Sequence, residues 1–266
     1  MEADMTYETI IVKQENNITK ITINRPDAMN SLSPTLVREL NAAFDDIEGD
    51  NTTKVVVLTG AGRAFCAGGD LQSMSDPNMG SIASRDFVHG AGKVAYKMIN
   101  LQKPVISAVN GDAVGAGFGL ALAADIVIAS EKARFGAIFV RVGLVPDTGL
   151  SYTLPRIVGQ AKAKELCWAG DIIDAAEAQR LGIVTKIVPA EQLESEAIGL
   201  ANKLAIGPSR SMGLTKMIMN KSIALGNLDA IIEYEAEAQA LCFQDEDFKE
   251  GIKAFREKRQ PKFKGV

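Results

Sequence analysis

The chain has 266 residues, 47% of them apolar and 23% charged, with 29 basic side chains against 33 acidic ones. A net charge of −4 offers no basic field for nucleic acid, and no apolar run is long enough to span a membrane. Three cysteines, Cys66, Cys167 and Cys242, stand far apart with no CxxC pair, which argues against a disulfide framework or a zinc site and fits a cytoplasmic protein held by its own core.

The opening MEADMTYETI has neither the charged n-region nor the apolar h-region of a signal peptide. Residues 7–24 read as a β-hairpin, two β-rich runs flanking Asn16-Asn17, a pair that tolerates left-handed backbone. Ser33-Pro34 is an N-cap followed by proline at the first helical position. Leu36, Val37, Leu40, Phe44 and Ile47 then recur at helical spacing, which predicts an amphipathic helix over 34–48. Lys54-VVVLTG is a continuous apolar run of the kind buried on both faces of a sheet. Pro104-VISAVNG and Asp125-IVIAS repeat it, with a glycine- and alanine-rich helical segment, 115–124, between them. Strand, crossover, strand is the parallel α/β pattern. Helical patterning resumes at 160–169 and 174–181, a last strand follows at 183–188, and from about Ala190 the chain reads as helix with breaks near Gly207-Pro208 and Gly226-Asn227. Residues 72–100, rich in Met, Ser and Gly, read as a mobile segment. Two regions are expected, an α/β core over 1–206 and a helical part over 207–266.

Two glycine-rich loops follow buried strands, Gly60-AGRAFCAGGDL and Asn110-GDAVGAGFGLALAAD. The second opens a helix, whose N-terminus carries unpaired N–H groups and partial positive charge. Side by side, such loops could aim two N–H donors at one oxygen. Tight turns and close helix–strand packing explain glycine clusters equally well. A dinucleotide site competes too, because Gly115 and Gly117 follow a strand and Glu131 ends the next one, but the spacing is GxGxG where the fingerprint needs GxGxxG. No Gly-Lys-Ser/Thr makes a P-loop and no GxSxG makes a hydrolase elbow. Cys66 sits between Phe65 and Ala67, a setting for a buried thiol more than for a nucleophile.

Five pieces carry a family resemblance: Arg25-PDAMNSLS, Gly62-RAFCAGGDL, Lys103-PVISAVNGDAVGAGFGLALAADI, Phe135-GAIFVRVGLVPDTGLSYTLPRIVG and Glu250-GIKAFREKRQPKFKG. In this order they resemble the enoyl-CoA hydratase/isomerase (crotonase) family over nearly the whole chain. The resemblance implies an α/β spiral of ββα units with a C-terminal helical region that assembles trimers or hexamers, and an acyl-CoA thioester as substrate. It implies no metal and no cofactor apart from the coenzyme A of the substrate. It makes the N–H groups of Gly69 and Ala116 an oxyanion-hole pair, with Gly115 beside them. It places Ala28, Ala67, Asp70 and Leu71 on the coenzyme A site, and Phe139 on the substrate site. Phe255 and Lys258 match positions that reach toward the coenzyme A of a neighbouring subunit.

The family's hydratases carry two glutamates; the matching positions here are Gly119 and Phe139. Asp147, in Leu144-VPDTGL, remains, and aspartate there resembles the family's 1,2-epoxyphenylacetyl-CoA and Δ3,Δ2-enoyl-CoA isomerases. The expectation is an isomerase with Asp147 as proton shuttle. A hydratase with acid–base groups elsewhere and an idle coenzyme A-binding subunit are the alternatives. Taken without the resemblance, Pro-Asp-Thr-Gly is also good chemistry for a turn or helix cap. The resemblance implies that a dehalogenase needs a histidine and a tryptophan in the helix before Lys103-Pro104; His89 lies in that region but slightly off the matching position, and Trp168 lies far along the chain.

Overall fold

A computed structural model describes residues 7–75 and 80–265. The hairpin forms as predicted: strands β1 (Ile10–Glu15) and β2 (Ile18–Ile23) pair antiparallel around Asn16 and Asn17, whose φ angles of 52° and 64° make the tight turn. Helix α1 (Pro34–Gly49) starts on Ser33, whose hydroxyl accepts the Leu36 N–H at 3.2 Å, and it buries all five residues of the predicted stripe. Then come β3 (Val55–Gly60), β4 (Ala64–Cys66), the short α2 (Leu71–Met74) and α3 (Ser81–Asn100). After them lie β5 (Val105–Val109), β6 (Asp112–Val114), α4 (Ala116–Leu122), β7 (Ile126–Ser130) and β8 (Arg134–Gly136). The chain continues through α5 (Leu150–Val158), α6 (Gln160–Ala169), β9 (Ile172–Asp174), α7 (Ala175–Arg180), β10 (Lys186–Val188) and α8 (Leu193–Ala205). It ends in α9 (Ser209–Leu225), α10 (Leu228–Gln244) and α11 (Glu246–Glu257).

The strands form two sheets. The larger runs β1-β2-β3-β5-β7-β10, parallel from β2 onward; the smaller runs β4-β6-β8-β9. Alternation across β3 explains its unbroken apolar sequence. Val55 and Val57 face the layer made with Leu193, Ala197 and Ala201 of α8, while Val56 and Leu58 face the main core with Leu36, Leu40 and Phe44. Each of these β-branched or leucine side chains contributes roughly 1.5–3 kcal/mol on burial.

Two expectations are corrected. Residues 72–100 are not a loose segment as a whole: α3 is a 20-residue helix that buries Ala91, Val94, Ala95 and Met98, with Gly90 lying where α1 packs closely (a Cβ there would stand 3.1 Å from Val37). Residues 76–79 of that segment lie outside the described residues. The last strand is shorter than 183–188, because Ile183 and Val184 complete the turn after α7, their N–H groups donating to the carbonyl of Ala178 at 2.9 and 3.3 Å. The small sheet was missed because its strands are three residues long and carry no readable alternation. It nonetheless positions the site: β4 and β6 pair parallel and deliver both glycine loops to one edge.

Candidate active site

The first glycine loop is tied to the chain after β2. Ala67 N–H donates to Met29 at 3.0 Å, Leu32 N–H donates to Gly68 at 2.7 Å, and Asp70 N–H donates to Leu32 at 3.0 Å. Successive N–H groups along an extended backbone point opposite ways. With the Asp70 donor turned to Leu32, that of Gly69 is turned away, and it finds no acceptor among the described residues. Ala116 opens α4, whose first N–H groups have no partner within the helix; the Ala116 donor also lacks an acceptor among the described residues. Gly68, at φ 93°, lets the loops touch: a Cβ there would lie 3.0 Å from the Val114 carbonyl and 3.4 Å from the Ala116 nitrogen.

Both donors border a cavity of about 360 Å³. Of the residues singled out in the sequence, Ala28, Ala67, Gly69, Leu71, Gly115, Ala116, Phe139 and Asp147 line it. Met29, Leu32, Met74, Phe87, Val88, Ala91, Ile138, Val142 and Leu144 make the rest of its wall largely apolar. Met74, Phe87 and Val88 were not singled out, since they fall in the segment whose helix the composition concealed.

Asp70 is not brought to this cavity. Its carboxylate accepts the N–H groups of Gln72 and Ser73 as the cap of α2 and pairs with Arg25 at 2.9 Å, which together hold it below the ordinary carboxylate range despite the opposing effect of burial. Nor are Phe255 and Lys258: Phe255 is 84% exposed on α11, and Lys258 terminates that helix in left-handed backbone. His89 is exposed, and neither it nor Trp168, 72% exposed, lines the cavity, so the residues a dehalogenase would need are not assembled. Cys66 is fully buried, and burial pushes its thiol up to about 12, far from a thiolate nucleophile.

Asp147 does not cap a helix. Helix α5 begins after Gly149 without any side-chain cap bond, and among the described residues the one hydrogen bond to the Asp147 carboxylate comes from the Thr148 hydroxyl at 3.0 Å. Burial raises its pKa above the ordinary value, and the Thr148 hydrogen bond opposes that rise. Thr148 is 2% exposed and held at φ 49°, an unusual conformation for a β-branched residue. The carbonyls of this segment press on α4: a Cβ at Gly119 would lie 2.7 Å from the Thr148 oxygen and 3.1 Å from that of Asp147. Position 119 therefore lacks a carboxylate and lacks room for one, while the buried Phe139 fills the other position with an apolar ring.

A raised carboxylate that works as a base loses activity as pH falls through its pKa, so the acid limb of kcat/KM should lie above that of an ordinary aspartate. Removing the donor that favours the ionised form should move the limb further up. We expect Thr148→Val to shift it to higher pH and Thr148→Ser to restore it, as read from rates between about pH 4 and 9. An unmoved limb in the valine variant would show that the hydroxyl does not tune Asp147.

Unpartnered N–H donors, an apolar cavity and one carboxylate suit proton transfer beside a carbonyl that gathers negative charge. Comparison with known proteins supplies the family. The enoyl-CoA hydratase/isomerase family model matches residues 13–266. The chain is 37% identical over 257 residues to the short-chain-enoyl-CoA hydratase of Clostridium acetobutylicum, covering 96% of this chain and 97% of that protein. It is also 37% identical over 264 residues to the 1,2-epoxyphenylacetyl-CoA isomerase of Escherichia coli (strain K12), covering 97% and 99%. The crystal structure of an enoyl-CoA hydratase from Bacillus anthracis superposes with a TM-score of 0.93 at 36% identity, covering 97% of this chain and all of that one. With its crotonase fold, this chain belongs to the enoyl-CoA hydratase/isomerase family of acyl-CoA enzymes.

Proposed function

We propose that this protein is an enoyl-CoA isomerase in which Asp147 moves one proton between two carbons of an unsaturated acyl chain. The Asp147 carboxylate takes the proton from the α-carbon of a 3-enoyl thioester. The electron pair passes into the conjugated enolate, whose oxygen lies against the N–H groups of Gly69 and Ala116. The protonated Asp147 then returns the proton to the γ-carbon and the enolate collapses to the 2-enoyl thioester, so that no atom or electron is gained or lost. Coenzyme A enters as part of the substrate, and proton transfer of this kind needs no further cofactor. The observation that carries the reading is the lone carboxylate: Asp147 is the only acidic side chain on the cavity wall among the described residues, and the Gly119 site is closed to another.

Hydration is the second reading, favoured by the names of most relatives; an idle coenzyme A-binding subunit is the third. Incubation with 2-enoyl, 3-enoyl and ring-derived thioesters, followed by product identification, separates them. We expect a shifted double bond as the main product. A 3-hydroxyacyl thioester as main product would establish the hydratase, and no product from any thioester would leave the idle subunit. The proposal includes a homotrimer or a pair of trimers built through the C-terminal helices. The exposed Leu228, Leu241, Phe243 and Phe255 of α10 and α11 support it, as does the absence of Phe255 and Lys258 from the chain's own cavity.

A further inference from the structure

The proposed reaction leaves one charged group on the cavity wall unused. Among the described residues, Asp147 and Arg141 are the only ionisable side chains lining the cavity, and Arg141 has neither an ion pair nor a hydrogen-bond acceptor there. Its stem is seated at the end of α6, where a Cβ at Gly170 would stand 3.4 Å from the arginine Cγ and 3.5 Å from Nε. Gly170, in left-handed backbone at φ 66°, leaves that seat open. Among the described residues Arg141 makes no ion pair with Asp147, whose carboxyl is raised by burial against the opposing hydrogen bond of the Thr148 hydroxyl. Arg141 is exposed, and it joins the wall beside Ile138, Phe139, Val142 and Leu144, on the stretch of chain that runs on to Asp147.

A guanidinium offers a rigid planar fork of donors that matches a carboxylate in two parallel hydrogen bonds. We propose that Arg141 is a specificity residue that binds a carboxylate at the far end of the acyl group, so that short dicarboxylic acyl thioesters are preferred over simple fatty ones. The inference rests on the acyl-CoA reading of the cavity but not on which reaction follows. Coenzyme A phosphates present similar anionic oxygens, and the test must tell the two apart.

Calorimetric binding of glutaryl-CoA and valeryl-CoA, equal in chain length and unable to react as enoyl thioesters, does so. The intact protein should bind glutaryl-CoA about tenfold more tightly. Arg141→Gln should erase that preference while leaving valeryl-CoA affinity within about twofold, and Arg141→Lys should keep part of it. Equal weakening of both thioesters in the glutamine variant would place the guanidinium on a coenzyme A phosphate and overturn the proposal. So would the absence of any preference in the unaltered protein. Failure of both thioesters to bind that protein would overturn the acyl-CoA reading and this inference with it, whereas equal binding of both overturns the inference alone.

Discussion

Asp147→Asn should lower isomerase turnover by about 10²–10⁴-fold, the range that general acid–base groups supply, while substrate affinity stays within about threefold. The amide keeps the shape of the carboxyl and can still accept from the Thr148 hydroxyl, so the left-handed turn at Thr148 has no reason to rearrange. What is lost is the ability to take and return a proton. Stability should move the other way. A carboxyl whose folded pKa is raised penalises the folded state once pH exceeds the unfolded value near 3.8, and the penalty is complete above the raised value. An uncharged side chain removes it. A melting temperature at neutral pH equal to or above that of the unaltered protein, together with the lost rate, would separate a chemical role from a structural one. Normal double-bond migration in the asparagine variant would remove Asp147 from the mechanism.

Much of the frame was legible because its signals are local. The Asn16-Asn17 turn, the Ser33-Pro34 helix start and the doubly buried β3, β5 and β7 each follow from a few adjacent residues, and the two glycine loops could be placed at strand ends. The candidate site was legible in part: the glycines of the two loops announce close approach, and the family resemblance singles out Gly69 and Ala116 within them. The rest depends on distant contacts. Nothing around Gly119 reports that the carbonyls of Asp147 and Thr148 press on it from another element. The three-residue strands that bring the loops together are too short for periodicity to register, and α3 is held by packing of Ala91, Val94 and Met98 that its serine- and glycine-rich surface hides. Asp70 shows a role its sequence position did not reveal: a carboxylate beside the glycine loop serves the loop itself, as the cap of α2 and the partner of Arg25, and does not line the cavity.

Ala116→Pro should reduce turnover by about 10²–10³-fold, the effect of deleting one oxyanion donor and equivalent to about 3–4 kcal/mol of barrier. Ordinarily a backbone donor is out of reach of mutation, but Ala116 is the first residue of α4, where proline is tolerated because the missing N–H has no helical partner. The ring takes away the hydrogen that lacks an acceptor among the described residues and puts its Cδ in that place. Ala116→Gly, which keeps the N–H, is the control and should stay within a few-fold of the normal rate. A saturated thioester should bind the proline variant more weakly as well, because the Cδ crowds the carbonyl oxygen, so the loss is read in kcat at saturating substrate, where the missing donor acts on the enolate. A folded Ala116→Pro protein with undiminished turnover would rule out this N–H as a stabiliser of the intermediate. Combined with Asp147→Asn, the variant also divides the readings of the family fold. An isomerase loses its rate in both. A hydratase with acid and base elsewhere loses it at Ala116 alone, because the enolate oxygen must be held whichever proton or water is added.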